Sequence, residues 1–226
     1  MSVADPPNTP KIFAAYPATD ERRLIQRWGH RNDSRLSYEF AESAKRLAAT
    51  HVGQPVDDMI LLPLLYLYRH AIELTLKESI HRAAWLRRRS GEDDPRLDLQ
   101  AVSDRLRSKH RHSIGALVNE LNEHMQALEL QTIPKGTAKF LQMLAEVDAT
   151  GEAFRYTGWL PESQDNIDFP SLSADLAETF EITAAAQDVL EAFGDAQAEW
   201  LAARAEIEAE MRADYESDLA AETGRW

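Results

Sequence analysis

The segment Arg105 to His112, RLRSKHRH, puts three arginines, one lysine and two histidines into eight residues. Cations packed this densely can hold an anion such as a nucleic-acid phosphate, and an imidazole can move a proton near neutral pH. A second basic run, LRRRS at Leu86 to Ser90, lies upstream. From Arg69 to His112 eleven Lys/Arg stand against seven Asp/Glu, so this part carries +4 and the remainder −17. Two readings follow. The runs are solvated helix ends, where cations complement the helix dipole, or they form a local anion or RNA site on an otherwise acidic protein. A second polar pattern begins the same region. Arg69, Glu73, Lys77 and His81 recur every fourth residue along a stretch otherwise rich in Leu, Ile and Ala.

Composition narrows the remaining chemistry. The chain has 226 residues and a net charge of −13, which disfavours nonspecific nucleic-acid binding by the whole surface. It contains no cysteine, which excludes disulfides, thiolate zinc sites and thiol catalysis. No P-loop or Gly-rich phosphate cradle is present, and no cofactor is expected. His110 and His112 lack carboxylates at ligand spacing, so no metal is expected either. HSIGAL has no preceding strand and is not a nucleophile elbow. The N-terminus, MSVADPPNTPKIF, lacks the pattern of a signal peptide. The longest apolar run, Met59 to Tyr68, contains Pro63 and falls short of a bilayer span, so a cytoplasmic protein without membrane contact is expected.

These residues must be carried by helices. No alternating, strand-like segment occurs, so the class is all-α, a helical bundle. Residues 1–18 read as a flexible arm, 19–193 as the bundle and 194–226 as an acidic C-terminal helix. A first helical region covers Asp20 to Thr50, with Leu36, Phe40, Ala44, Leu47 and Ala48 on one face. A second begins near Asp57 or Asp58 and runs to about Arg89, with Pro63 kinking its second turn. Leu97 to Lys109 reads as a short helix. Ser113 precedes another that carries Ile114, Leu117, Val118, Leu121, Met125 and Leu128. A further helix covers Thr137 to Val147, and Ala149 to Ser171 is a nonhelical crossing. Leu172 to Phe193 is helical, and Gly194 and Asp195 end that helix and cap the last one.

The second helix is apolar nearly all round, which belongs in the middle of a bundle; Leu67, Ile72, Leu76 and Ile80 should be inaccessible. Arg69, Glu73 and Lys77 must then be paired or line a cleft, because an unpaired buried charge costs several kcal/mol. An internal ion ladder and a polar groove both satisfy this. Five tryptophans, Trp28, Trp85, Trp159 and Trp200 among them, read as core or interface anchors.

YRHAIELTLKESI, with Glu73, Leu76 and Lys77, resembles the second helix of HEPN domains, the higher-eukaryote and prokaryote nucleotide-binding helical bundles. HRHSIGALVNEL, matching best at His112, resembles the family's segment in which a histidine opens a later helix. EAFRYTGW resembles the Arg-Tyr segment before the last core helix: Arg155 and Tyr156 match, while Thr157 and Gly158 replace the usual Pro-Asp. The resemblance spans roughly Ser34 to Phe193. It implies a bundle in which Arg155 approaches Glu73, and an anionic ligand, nucleotide or RNA held by Arg69, Glu73, Lys77, Arg155 and Tyr156.

Some members of that family are metal-independent ribonucleases carrying Arg, four to six residues, then His, usually at a dimer interface. Histidine moves the proton of the ribose 2′-OH and arginine stabilises the phosphorane charge. Here Arg107 to His112, Arg105 to His110, Arg46 to His51, Arg105 to His112 and Arg23 to His30 have such spacings. The region after Arg155, where the motif usually sits, contains no histidine. Three functions are therefore carried forward. The chain is a noncatalytic binder of an anionic ligand, RNA or protein partner; a ribonuclease toxin of a toxin–antitoxin or phage-defence system, using Arg105, Arg107, His110 or His112; or a structural subunit. In the last helix, Trp200, Leu201, Ala203, Ile207, Met211, Tyr215 and Leu219 mark an approximate face for packing and dimerisation.

Overall fold

The computed structural model describes residues 33–155 and 166–223, with side chains for 35–155 and 166–216. Residues 32–226 form one compact unit. It is all-α, with no strand among the described residues. The helices are α1 (Asp33–Ala48), α2 (Leu61–Arg89), α3 (Leu99–Arg105), α4 (Ile114–Ala127), α5 (Lys135–Val147) and α6 (Phe169–Thr223). The N-terminal arm, Trp28, the Arg23/His30 pair, Tyr156 and Trp159 lie outside the described residues.

The central element is α2, packed against α1, α4 and α6. Leu64, Ile72, Leu76, Ile80 and Leu86 are inaccessible, each contributing about 1.5–3 kcal/mol by burial. Leu67 departs from expectation: it is only partly buried, at the rim of the core. The start of α2 also differs. A 3₁₀ turn, Pro55–Ile60, precedes it, and the Asp57 carboxylate accepts from the Val52 and Gln54 amides at 2.8 and 2.9 Å. Pro63 thereby falls in the first α-turn, where no intrahelical N–H bond is due, and the expected kink has no cause. Contrary to the expectation from Met59 to Tyr68, Pro55–Arg89 is long and apolar enough to cross a membrane by length and composition. Its apolar side chains are the middle of the bundle core, an arrangement compatible with a soluble protein.

Leu97 to Lys109 is not one short helix. A 3₁₀ turn, Pro95–Leu97, leads into α3, and the chain then widens into a π-helical segment, Leu106–His110. Ser113 caps α4 as expected, its hydroxyl accepting from the Ala116 amide at 3.4 Å. Asp168 caps α6, accepting from the Ser171 amide at 3.2 Å, with Pro170 in the first turn.

The expected break at Gly194 and Asp195 is absent: α6 continues through 55 residues, about 80 Å of helix. Gly194 serves close packing instead. A Cβ there would stand 2.7 Å from Arg82 Nη2 and 3.2 Å from Leu86 Cδ2, so the missing side chain is what lets α6 approach α2.

Candidate functional site

Three residues of the four-residue repeat on α2 meet around one carboxylate. Glu73 Oε2 accepts from Arg69 Nη1 at 2.8 Å, and Oε1 accepts from Lys77 Nζ at 2.6 Å. Arg69 and Glu73 are almost wholly buried, while Lys77 reaches the surface. This is the ion ladder. His81 does not join it, because a spacing of four overshoots the 3.6-residue turn by about 40° per step. By the third step the residue has turned away, and His81 lies beside Trp85 and Leu99.

The ladder does not end on α2. His112 Nδ1 lies 2.9 Å from Glu73 Oε1. Arg69 donates from Nη2 to the His112 carbonyl, and its Nε is in ion contact with Asp148 Oδ2 at 2.6 Å. Glu73 is held below the ordinary glutamate value: burial pushes it up, and the Lys77 hydrogen bond with the charges of Lys77, His112 and Arg69 outweighs burial. An ionised carboxylate only accepts, so the neutral His112 ring carries its proton on Nδ1 and keeps a lone pair on Nε2. The ring is about half exposed.

Two backbone devices bring His112 there. The π segment closes on a bond from the Arg111 amide to the Leu106 carbonyl at 2.8 Å, and Arg111 then adopts φ +48°, uncommon for a residue with a side chain. The reversal places His110 inside the bundle and His112 over Glu73. Across from it, Gly151 has φ +80°, and a Cβ there would lie 2.8 Å from His112 Cβ and 3.2 Å from Arg69 Nη2. Arg155 follows on the same segment, donating from Nε to the Gly151 carbonyl at 2.9 Å, with its guanidinium 6.0 Å from the Tyr66 ring. The segment of Arg155 and the helix of Glu73 thus converge through Gly151 and Arg69.

Beside this cluster opens a groove of roughly 740 Å³ lined by Lys77, Arg107, Lys109, Arg111 and His112, with Glu152 as its only carboxylate among the described residues. Arg107, Lys109 and Arg111 are exposed and have no ion-pair partner among the described residues. Such a surface can bind phosphates without first breaking an internal pair.

Arg105 and His110 belong elsewhere. Glu120 on α4 accepts from Arg105 Nε at 2.9 Å and from His110 Nε2, and His124 Nε2 lies 3.5 Å away. Arg87 Nη1 lies 3.0 Å from His124 Nδ1 and pairs with Glu92. Glu120 is held far below the ordinary range: burial pushes it up, but the close approach of His124, the Arg105 hydrogen bonds and the charges of Arg105 and His110 prevail. His110 faces both regions, lining the groove and the cavity around Glu120. The remaining pair does not assemble, since Arg46 binds Glu42 on the surface and His51 stacks on Phe169.

Asp148, Gly151, Lys109, Arg111 and Glu120 complete these sites, and none was singled out by spacing. Glu120 carries one available signal, a carboxylate on the largely buried α4 with His124 one turn on. Asp148 and Gly151 come from a loop, where no period marks them. Among the described residues no group of three His, Asp or Glu side chains is disposed to hold a metal ion. Comparison with family models, curated proteins and solved structures finds no match.

Proposed function

We propose that the chain is a HEPN-like cytoplasmic protein that binds the phosphates of RNA or a nucleotide in the groove beside His112. One observation carries this reading: Arg107, Lys109 and Arg111, all exposed and free of ion pairs among the described residues, line one groove with Lys77 and His112. Phosphate neutralisation by three or four cations gives sequence-independent affinity that falls with salt, with a log–log slope of about −2 to −3 for single-stranded RNA. Anisotropy titration of a labelled RNA oligonucleotide across a salt series tests it. Combined alanine substitution of Arg107, Lys109 and Arg111 is expected to remove the binding. Unchanged affinity in that variant would reject the groove.

The His112–Glu73 pair favours a second reading, metal-independent RNA cleavage of the kind used by toxin–antitoxin and phage-defence ribonucleases. Nε2 of His112 would take the proton from a ribose 2′-OH, whose oxygen attacks the adjacent phosphorus. The P–O5′ bond breaks, leaving a 2′,3′-cyclic phosphate and, once protonated, a 5′-hydroxyl end. Arg107 and its neighbours would stabilise the phosphorane. Cleavage should persist in chelator, and His112→Ala should slow it by ~10²–10⁴-fold. RNA bound yet left intact, with chelator or with Mg²⁺, selects the noncatalytic reading.

A further inference from the structure

The distal part of α6 leaves the bundle. Every described side chain from residue 202 to 216 is exposed, although the helix continues to Thr223. One line of that helix is nonetheless apolar: Trp200, Ile207, Met211 and Tyr215 stand 57–68% exposed, spaced as one helix face requires. A lone helix of this length gains little stability from its own backbone in water, and an amphipathic face ordinarily has something to cover it. The flanking residues are acidic. From 205 to 216 there are Glu206, Glu208, Glu210, Asp214 and Glu216 against Arg212 alone.

A complementary surface exists at the root of the same helix. Arg82 and Arg89 lie against Trp85, 4.7 and 5.1 Å from the indole ring, and Arg89 donates to the Gly194 carbonyl at 3.2 Å. Neither arginine has an ion pair among the described residues. Between Arg89 and α6 runs an apolar cleft of roughly 490 Å³ that includes Phe193, Trp200 and Leu201, with Arg204 also on its rim. Trp85 and Leu99, both exposed, extend the apolar surface on the far side of Arg89.

We propose that the distal part of α6 is a docking arm for a second copy of this chain, bound antiparallel so that the two arms pair and the end of each reaches the cleft lined by Arg89 and Arg204 at the root of the other copy's α6. The stripe is nearly symmetric about Ile207. A two-fold axis there sets Tyr215 of one copy beside Trp200 of the other, about 12 Å along the helix on either side of the axis. The same operation sets Glu210 opposite Arg204 and carries Asp214 and Glu216 towards Arg89, which lines the cleft beside Gln197 and Trp200. Parallel pairing would set every carboxylate of the arm against its own counterpart, whereas here only Glu206 and Glu208 face each other, so charge favours the antiparallel arrangement.

Sedimentation of the full chain should show a dimer at tens of micromolar. Ile207→Glu should weaken that dimer by about tenfold or more while helix content, read by circular dichroism, stays the same. Arg89→Glu should weaken it less. Because the chain has no cysteine, position can be read directly. Ile207→Cys should cross-link to its own copy under mild oxidation, and Tyr215→Cys should not. A monomer at tens of micromolar, or a dimer indifferent to Ile207→Glu, overturns the proposal. Efficient self-cross-linking of Tyr215→Cys would mean parallel arms and overturns it equally.

Discussion

Two carboxylates, Glu73 and Glu120, organise the polar interior, and each gathers arginine and histidine on one side of the Leu106–His110 segment. They differ in what remains unpaired. Around Glu120, Arg105 bonds the carboxylate and the Arg96 carbonyl, His110 turns Nε2 to the carboxylate, and Arg87 reaches Glu92 and His124, whose buried Nε2 stops 3.5 Å short of Glu120 without a hydrogen bond. That cluster is closed, and its work is to hold α3, α4 and the end of α2 together. Around Glu73 the inner members are ion-paired too, although Arg69 Nε and Asp148 Oδ2 meet without a hydrogen bond, and the cluster ends in a half-exposed imidazole beside Arg107, Lys109 and Arg111, which have no ion pair among the described residues. Residue type does not separate a structural ion cluster from a binding site here. The inventory of unused donors and lone pairs does.

Breaking the closed cluster should have the largest effect on stability. Glu120→Ala leaves Arg105 and His110 without their carboxylate in a largely buried position and is expected to cost about 3–5 kcal/mol in urea denaturation. If it costs under about 1 kcal/mol, water reaches the cluster and its closed character is wrong. Next comes Gly151→Ala, which combines a left-handed backbone with a 2.8 Å approach to His112 and should cost about 1–3 kcal/mol. That variant should also displace the imidazole, visible as a shifted His112 resonance.

Acidification supplies a smaller and graded comparison. Both glutamates have folded values below the ordinary one of about 4.3, so their stabilisation is present above that pH and is lost as pH falls towards the folded values. The urea midpoint should therefore decline below about pH 4. Glu120→Gln should flatten that decline more than Glu73→Gln; the reverse order would exchange the weights given to the two clusters. The smallest stability effect belongs to the groove: Arg107→Ala, Lys109→Ala and Arg111→Ala should each change stability by less than about 0.5 kcal/mol while RNA affinity falls. A stability loss comparable to that of Glu120→Ala would show that these cations are bound internally after all.

Much of this was legible in the residue pattern, for a physical reason. The 3.6-residue period exposes which helix is buried all round, and a polar stripe on such a helix must be paired or line a cleft; the pattern left both open, and the Arg69–Glu73–Lys77 ladder is the first of them. Helix continuity was harder to read. Gly194 carries the mark of a terminator, yet its cause is tertiary, the passage of Arg82 and Leu86 on a helix more than a hundred residues away. Sorting Arg105/His110 from Arg107/His112 was also beyond periodicity, because it depends on a π turn followed by a left-handed residue. Trp85 and Trp200 are exposed, so they are not the core anchors their residue type suggested.

That π turn has a genetic consequence. A π segment holds one more residue than an α-helical turn would need, and such bulges often sit at functional sites. Removing a single residue between Leu106 and His110 would let the bond from the Arg111 amide to the Leu106 carbonyl close an α-turn in place of the π turn, with the chain on either side kept in phase. Only the residues inside the turn would change their facing. Arg107, Lys109 and His110 would be re-aimed, while His112 would keep its place over Glu73. Substitutions can weaken this site one contact at a time. A one-codon deletion there would re-aim the groove cations and His110 together while sparing the His112–Glu73 pair, so the length of the segment between α3 and Ser113 is as much a part of the groove as any side chain in it.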